Sequence, residues 1–500
     1  MVEPADSHDE LRNKIDEHTE WLLVHANGRS FPLRSEEIEL TQLSDRIQFC
    51  FPDDAGYHSW RLNAFKMDEG EIVVDVAGRF GKNRETMRLV PRTPAAELAE
   101  ETEIARLKKA NEIGRAIADA RAAKIIRIAL SKENSRIAHI FYKTGVSTLH
   151  AAMADVTGTA PHESLVCSAL VWLQRLEARK KDPIDIISIA ADKKRARSLQ
   201  KLLAMLSDRE RKRIEIIEIA GIPDDVEVKM LPARRLSELW RERPRKLVFP
   251  DNPFPSKAAQ RIIALKPEKI DVLYSKQGET LRFLGLPFAR VRTMLGRDKA
   301  WFGVGREKRV LNYATTDDLV RLVEELDENR DAESANKRHE YYRLAPEAWL
   351  EAILRRNIRL LDANLILSPI YSQFRTMNDK IDLLALRRDG RLVVIELKTT
   401  PDRAAIFQAA DYWRKIELQR RSGQLDAAKA FGDRKILDKP ALIYLAAPAL
   451  SFHRDHELFS SMLASEIELW RFELHENWRA AVKVIARTDH GDPLSGRTNR

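Results

Sequence analysis

Cysteine is nearly absent: Cys50 and Cys167 are the only two in 500 residues, and they lie in unrelated segments without CxxC or Cys/His spacing. That excludes a disulfide framework and a structural zinc site, so any metal must be held by oxygen ligands. Long apolar runs are missing too. None approaches the ~18 to 20 residues that a bilayer span needs, and residues 1–20 are acidic and polar rather than a secretory leader. A cytoplasmic protein with no membrane partner is therefore expected. No GxxxxGK[ST] occurs, and no GxGxxG follows the first strand of the middle region. The familiar phosphate loops for a nucleotide are thus excluded. Without a heptad seam or an internal repeat, neither a coiled-coil interface nor a solenoid is predicted, and the oligomeric state stays open.

What is present suits several folded cores. Hydrophobic residues make up 44% of the chain, with nine Trp and seventeen Phe, while 32% is charged. Domains usually hold roughly 100 to 200 residues, so three or four units are expected. The formal net charge of +9 favours polyanionic partners, because Lys and Arg that neutralise phosphates release counterions. The basic residues cluster at Arg179-Lys180-Lys181, at Lys193-Lys194-Arg195 with Arg197, at Arg209 with Arg211-Lys212-Arg213, and over 234–246. Each cluster reads equally as a solvated helix face or a nucleic-acid surface.

The pattern along the chain predicts a multidomain α/β protein. Short β-type runs broken by turn signals give a β-rich domain over 1–93, and Ala/Leu/Ile/Glu periodicity gives a helical connector or subdomain over 94–180. Alternating strand-like and helical runs predict an α/β domain over 181–326. The wholly polar run near Asp327 predicts a linker over 327–340. A C-terminal domain follows over 341–488, a mixed sheet with helices, and 489–500 reads as a disordered tail.

The C-terminal domain carries the chemistry. Two β-type runs flank Arg388-Asp389-Gly390. With a three-residue loop and Gly390 in the left-handed position, Arg387 pairs with Arg391 and Asp382 stands opposite Glu396. Ile381, Leu383 and Ala385 then meet Leu397, Ile395 and Val393 on one face, while Leu384 and Leu386 meet Val394 and Leu392 on the other. Both faces are apolar, as in a central strand pair. Two carboxylates at one end of such a pair are costly unless a cation lies between them, and oxygen ligands suit Mg²⁺ or Mn²⁺. Lys398 follows two residues on, on the same side, where it can orient a water or stabilise phosphate charge. A two-residue loop would turn Asp382 to the opposite face. Upstream, Pro346 opens a predicted helix with Glu347 and Glu351 four apart, either of them a candidate further metal ligand. Downstream, Thr400 is a predicted N-cap with Pro401 in the first turn of a helix carrying Gln408 and Tyr412 on one face. His453 and His456 read as solvated histidines.

Asp382, the Glu396-Leu397-Lys398 triplet and the Gln408 to Tyr412 spacing resemble the D, ExK and QxxxY motifs of RecB-type PD-(D/E)XK nucleases. More narrowly, residues 347–357 and 381–412 resemble the catalytic domain of NucS-like endonucleases. The resemblance covers about 340–480 and implies a restriction-endonuclease-like core. It implies Glu347, Asp382 and Glu396 as metal ligands, Lys398 as the catalytic lysine, and Gln408 and Tyr412 as an auxiliary pair that helps position substrate. No NucS-type N-terminal domain is recognisable, so a preference for branched or mismatched DNA is not implied. The expected activity is Mg²⁺- or Mn²⁺-dependent hydrolysis of DNA, in repair or defence. The alternatives are an RNase on the same core and a nucleic-acid-binding protein that keeps the nuclease core as a non-catalytic module.

Overall fold

Four sheets carry the fold, and the chain divides into two compact units, one of 1–197 with 213–232 and one of 198–212 with 233–500. The computed structural model describes residues 8–489 except 27, 44–45, 54–55, 69, 79–83, 93–94, 146–147, 180–182, 222–226, 245–253, 276–277, 295–296, 306–307 and 369–381. The strand predicted over 246–249, the hairpin residue Ile381 and the tail beyond Asp489 lie outside the described residues. Among the described residues no helix is long and apolar enough to cross a membrane.

The first unit opens with a seven-stranded sheet running from Glu20–His25 to Arg84–Pro91, every neighbour pair antiparallel. Trp21, Phe49, Phe51 and Phe65 fill its apolar face and are fully buried. A six-stranded mixed sheet follows, and it corrects the expected helical connector. Ala95–Ala120 and His162–Glu177 are helices, but Ala123–Leu130, Ile137–Thr144 and Thr148–Asp155 between them are strands. They share a sheet with Ile187–Asp192, Ile214–Ala220 and Glu227–Leu231. Ala, Ile and Leu supply the apolar positions of helix and strand alike, and the only break between them is Ala122, left-handed at φ 47° without any turn signature in the sequence. The α/β region expected over 181–326 is therefore divided, its first strands belonging to this sheet and its last to the second unit.

The second unit holds a five-stranded antiparallel meander, Ile270–Ser275 to Arg309–Val310, and a six-stranded mixed sheet. The order of the latter is Leu365–Leu367, Leu383–Arg387, Leu392–Leu397, Leu442–Pro448, Leu469–Leu474 and Val484–Asp489. Its two central pairings are parallel and the others antiparallel. The Ala405–Arg421 helix makes the crossover between the first parallel pair, as a parallel connection requires. One apolar core runs through both sheets, with Phe283, Phe288, Trp349, Leu350, Ile395 and Tyr444 in a single cluster.

The polar run expected as a linker over 327–340 is instead a packed junction. Arg330 is fully buried and donates to the carbonyls of Leu284, Tyr341, Leu344 and Ala345 at 2.6–3.2 Å, with Trp349 under its guanidinium at 4.7 Å. Burial and the nearby Arg479 push its pKa down to about 9. A hydropathy pattern cannot register this junction, because what organises it is a polar side chain. Beside it the turn at Leu284 and Gly285, both at positive φ, meets the Pro346–Arg356 helix so closely that a Cβ on Gly285 would lie 1.9 Å from the Ala348 carbonyl oxygen. Together these contacts fix the first turn of the helix that carries Glu347. Replacing Arg330 with Met takes this donor from the buried Leu284 carbonyl and from the half-buried Tyr341 and Leu344 carbonyls, which costs about 3 kcal/mol. Amide exchange at Trp349 and Leu350 should accelerate about a hundredfold by that argument; exchange within threefold of wild type would contradict the anchoring role.

Candidate active site

The hairpin loop is Arg388, Asp389 and Gly390, with Gly390 left-handed at φ 89°. The Arg387 N–H donates to the Arg391 carbonyl and the Gly390 N–H to the Arg387 carbonyl, both at 2.8 Å. Leu383 pairs with Ile395, Leu384 with Val394, Ala385 with Val393 and Leu386 with Leu392. Continued by one step, that register sets Asp382 level with Glu396. Asp382 lies just beyond the last ladder pair, and its Oδ2 accepts the Leu397 N–H at 2.8 Å. The carboxylate thus takes a backbone donor at the end of the ladder.

Glu396 is 3% exposed, and its Oε2 has no hydrogen-bond partner among the described residues. Its Oε1 lies 3.1 Å from Lys398 Nζ. The same ammonium lies 3.1 Å from Asp402 Oδ2 and donates to Gln408 Oε1 at 2.8 Å. Burial raises the Glu396 pKa well above the carboxylate range, and Asp382 adds to it despite Lys398. Burial likewise pushes Asp382 up to about 7, against the Leu397 N–H and with help from Glu351 and Glu347. Burial opposes the charge on Lys398, but Glu396, Glu347 and Asp402 more than offset it and hold the ammonium above its ordinary pKa.

The Pro346–Arg356 helix presents its two glutamates differently. Glu351 is buried, and its Oε1 receives Arg282 Nη1 at 3.3 Å and Arg355 Nη1 at 3.4 Å. Arg282, 1% exposed, is also paired with Asp271 at 2.6 Å. Two guanidiniums therefore already balance Glu351. Glu347, one turn earlier, acts electrostatically on Asp382, Glu396 and Lys398 and is in no ion pair among the described residues. It is the freer of the two as a ligand.

The downstream helix begins at Ala405 rather than after Thr400. Asp402 accounts for the delay: its carboxylate accepts the Ala404 N–H at 2.8 Å and pairs with Lys398, which holds 399–404 as a loop. Gln408 reaches Lys398, while the Tyr412 ring faces the Lys415 ammonium at 5.4 Å. His456, expected to be solvated, is 5% exposed and opens the His456–Ser461 helix. Its ring meets Phe452 edge-on, an apolar contact that the polar neighbours in the sequence conceal. Neither Asp402 nor Arg282 is among the residues that the sequence motifs single out. The four-residue step from Lys398 to Asp402 was a signal for the first, whereas the second is 69 residues from Glu351 and had none.

The site fits a hard divalent cation in its chemistry, with three carboxylates in mutual electrostatic contact and one buried oxygen unpartnered. The oxygens of Glu347, Asp382 and Glu396 do not all lie within 4.8 Å of one another, since Asp382 is drawn to Leu397 and Glu396 to Lys398. No family model, curated protein or solved structure matches this chain.

The raised pKa of Asp382 gives a pH signature. The unfolded chain loses this proton near its ordinary value of 3.8, while the folded protein keeps it to about 7. Ionisation therefore costs stability progressively as pH rises between those values, and the loss is complete above the folded pKa. Asp382→Asn should raise the melting temperature at pH 8 by several degrees and leave it nearly unchanged at pH 4. An equal shift at both pH values would rule out the titration.

Proposed function

We propose that this chain is a metal-dependent nuclease whose C-terminal domain is of the PD-(D/E)XK type with a restriction-endonuclease-like core, hydrolysing phosphodiester bonds in DNA. The observation that carries the reading is the meeting of Asp382, Glu396 and Lys398 at the buried end of an apolar hairpin, with Gln408 on the lysine. The mixed sheet flanked by the Pro346–Arg356 and Ala405–Arg421 helices is compatible with that core.

Glu347, Asp382 and Glu396 would hold Mg²⁺ or Mn²⁺. When bound, such an ion polarises the phosphodiester and lowers the pKa of the attacking water. Lys398 stays protonated at working pH because three carboxylates surround it, so it acts as a fixed positive charge toward phosphate and not as a base. Gln408 accepts from that ammonium and aims it. Asp402, 3.1 Å from the same nitrogen, is a positioning residue.

One observation favours a second reading. Lys398 already lies 3.1 Å from Glu396, as it would in a nucleic-acid-binding module that has no need of a metal. Cleavage of labelled single-stranded DNA, duplex DNA and RNA with Mg²⁺, Mn²⁺ or EDTA separates the possibilities. Metal-dependent cutting of DNA is expected, reduced at least a hundredfold in Asp382→Asn and Lys398→Met. Mn²⁺ binding by calorimetry should be lost in Asp382→Asn and kept in Lys398→Met. Cutting of RNA alone would move the reading to an RNase, and no cutting with no Mn²⁺ binding would establish the binding module.

A further inference from the structure

The helix and the hairpin that carry the carboxylates carry arginines at their other ends. Glu347 lies in the first turn of the Pro346–Arg356 helix, and Arg355 and Arg356 in its last. Asp382 and Glu396 lie at the open end of the hairpin, and Arg388 in its loop. At the arginine end there is a cleft of about 680 Å³ lined by Arg355, Arg356, Arg359, Arg388 and Arg434, with Asn357 and, among the described residues, no Asp or Glu.

Backbone hydrogen bonds build this cleft. The Arg388 N–H donates to the Asn364 carbonyl at 2.9 Å and the Leu437 N–H to the Gly390 carbonyl at 2.7 Å. A Cβ on Gly390 would lie 3.2 Å from the Lys435 carbonyl oxygen, so the loop and the segment bearing Arg434 are closely packed. Arg355 is committed to Glu351. Arg359, Arg388 and Arg434 are exposed and are in no ion pair among the described residues.

Asp271 and Glu268 act on Arg356 as well, so the charge to be met is that of Arg359, Arg388 and Arg434, whose mutual repulsion a ligand bringing regularly spaced negative charge relieves. Guanidinium forks match phosphate oxygens two at a time, which lysine does not do. We propose that this cleft is a second nucleic-acid site, one that grips the phosphate backbone away from the carboxylates. Nine helical residues from Glu347 to Arg356 span about 14 Å, and six extended residues from Asp382 to Arg388 span about 20 Å. At 3.4 Å per base pair that is about four to six base pairs between the two ends. The binding claim stands on the cleft alone; only its link to cutting rests on the nuclease reading.

The experiment is fluorescence anisotropy of a labelled 24-base-pair duplex in EDTA, which silences metal-dependent cutting. It compares wild type, the triple Arg359→Gln, Arg388→Gln, Arg434→Gln, and the corresponding Glu triple. The Gln triple should bind at least tenfold more weakly, with a log-log salt slope smaller by about two to three. The Glu triple should bind more weakly still. Unchanged melting temperatures would show that the variants fold. A Gln triple within twofold of wild type overturns the proposal. So does a polyglutamate peptide that binds wild type as tightly as the duplex and is lost in the Gln triple, which would assign the cleft to an acidic protein. Arginine-dependent binding in a protein that never cuts DNA would sink the nuclease reading and keep the cleft; metal-dependent cutting with binding untouched by the Gln triple would do the reverse.

Discussion

A carboxylate inside an apolar sheet is expensive to charge, and Glu396 is such a group. It lies in a strand whose six residues are all buried, and one of its oxygens has no hydrogen bond among the described residues. Isolated burial of an ionised carboxylate costs many kcal/mol, so either the group stays protonated or a cation is brought to it. The chain brings Lys398, itself buried, and then has to hold that ammonium with Asp402 and Gln408. The loop over 399–404 and the late start of the following helix both follow from this. Asp382 is left to the Leu397 N–H and keeps its proton to about pH 7. A protein selected for stability alone gains little from two such groups side by side, which is why perturbed acids of this kind gather at functional sites.

The same constraint gives the five-stranded meander a purpose. Glu347 can act on the buried acids only if the first turn of its helix is fixed, and the residue before that helix, Ala345, is itself left-handed at φ 43°. Arg330 holds the Ala345 carbonyl, the Leu284–Gly285 turn presses on Ala348, and Arg282 ties Glu351 to Asp271 in the first strand of the meander. Each contact joins the meander or the junction after it to one face of a single helix. The meander is therefore a support for the position of that helix, in keeping with the general need of a reactive constellation for a rigid second layer.

How much of this the sequence disclosed depended on whether apolar pattern or polar chemistry set the local structure. The hairpin register was legible because a glycine three residues into the loop and alternating Leu, Val and Ile leave little freedom; a shift of one residue would have sent Asp382 to the other face. The six-stranded C-terminal sheet was legible in part for the same reason. The strands over 123–155 were not, since Ala122 makes a turn that its residue type does not announce. The junction near Arg330 is not legible because a polar run usually means solvent, and nothing in it indicates that one guanidinium will take up the Leu284 carbonyl, 46 residues back, together with three carbonyls 11 to 15 residues on. The Glu351 network was hidden for a related reason, its partner Arg282 being brought in only by the fold.

Charge in the C-terminal domain is segregated along the axis of its own secondary structure. The helix runs from acidic Glu347 to basic Arg356, and the hairpin from Asp382 and Glu396, beside Lys398, to a loop in which Asp389 is taken up by Arg387 and Arg388 is in no ion pair among the described residues. For the helix the arrangement costs nothing, because acids at its N-terminus and bases at its C-terminus complement the macrodipole. That alone accounts for Glu347 and Arg356. It does not account for Arg388 and Arg434, which belong to a loop and to a segment outside any helix, nor for the lack of an acid among the described residues of the cleft they share with Arg359. A dipole rule covers one element at a time, whereas here three separate segments deliver the same charge to one place. An anion that meets several of them at once is what relates those residues to each other.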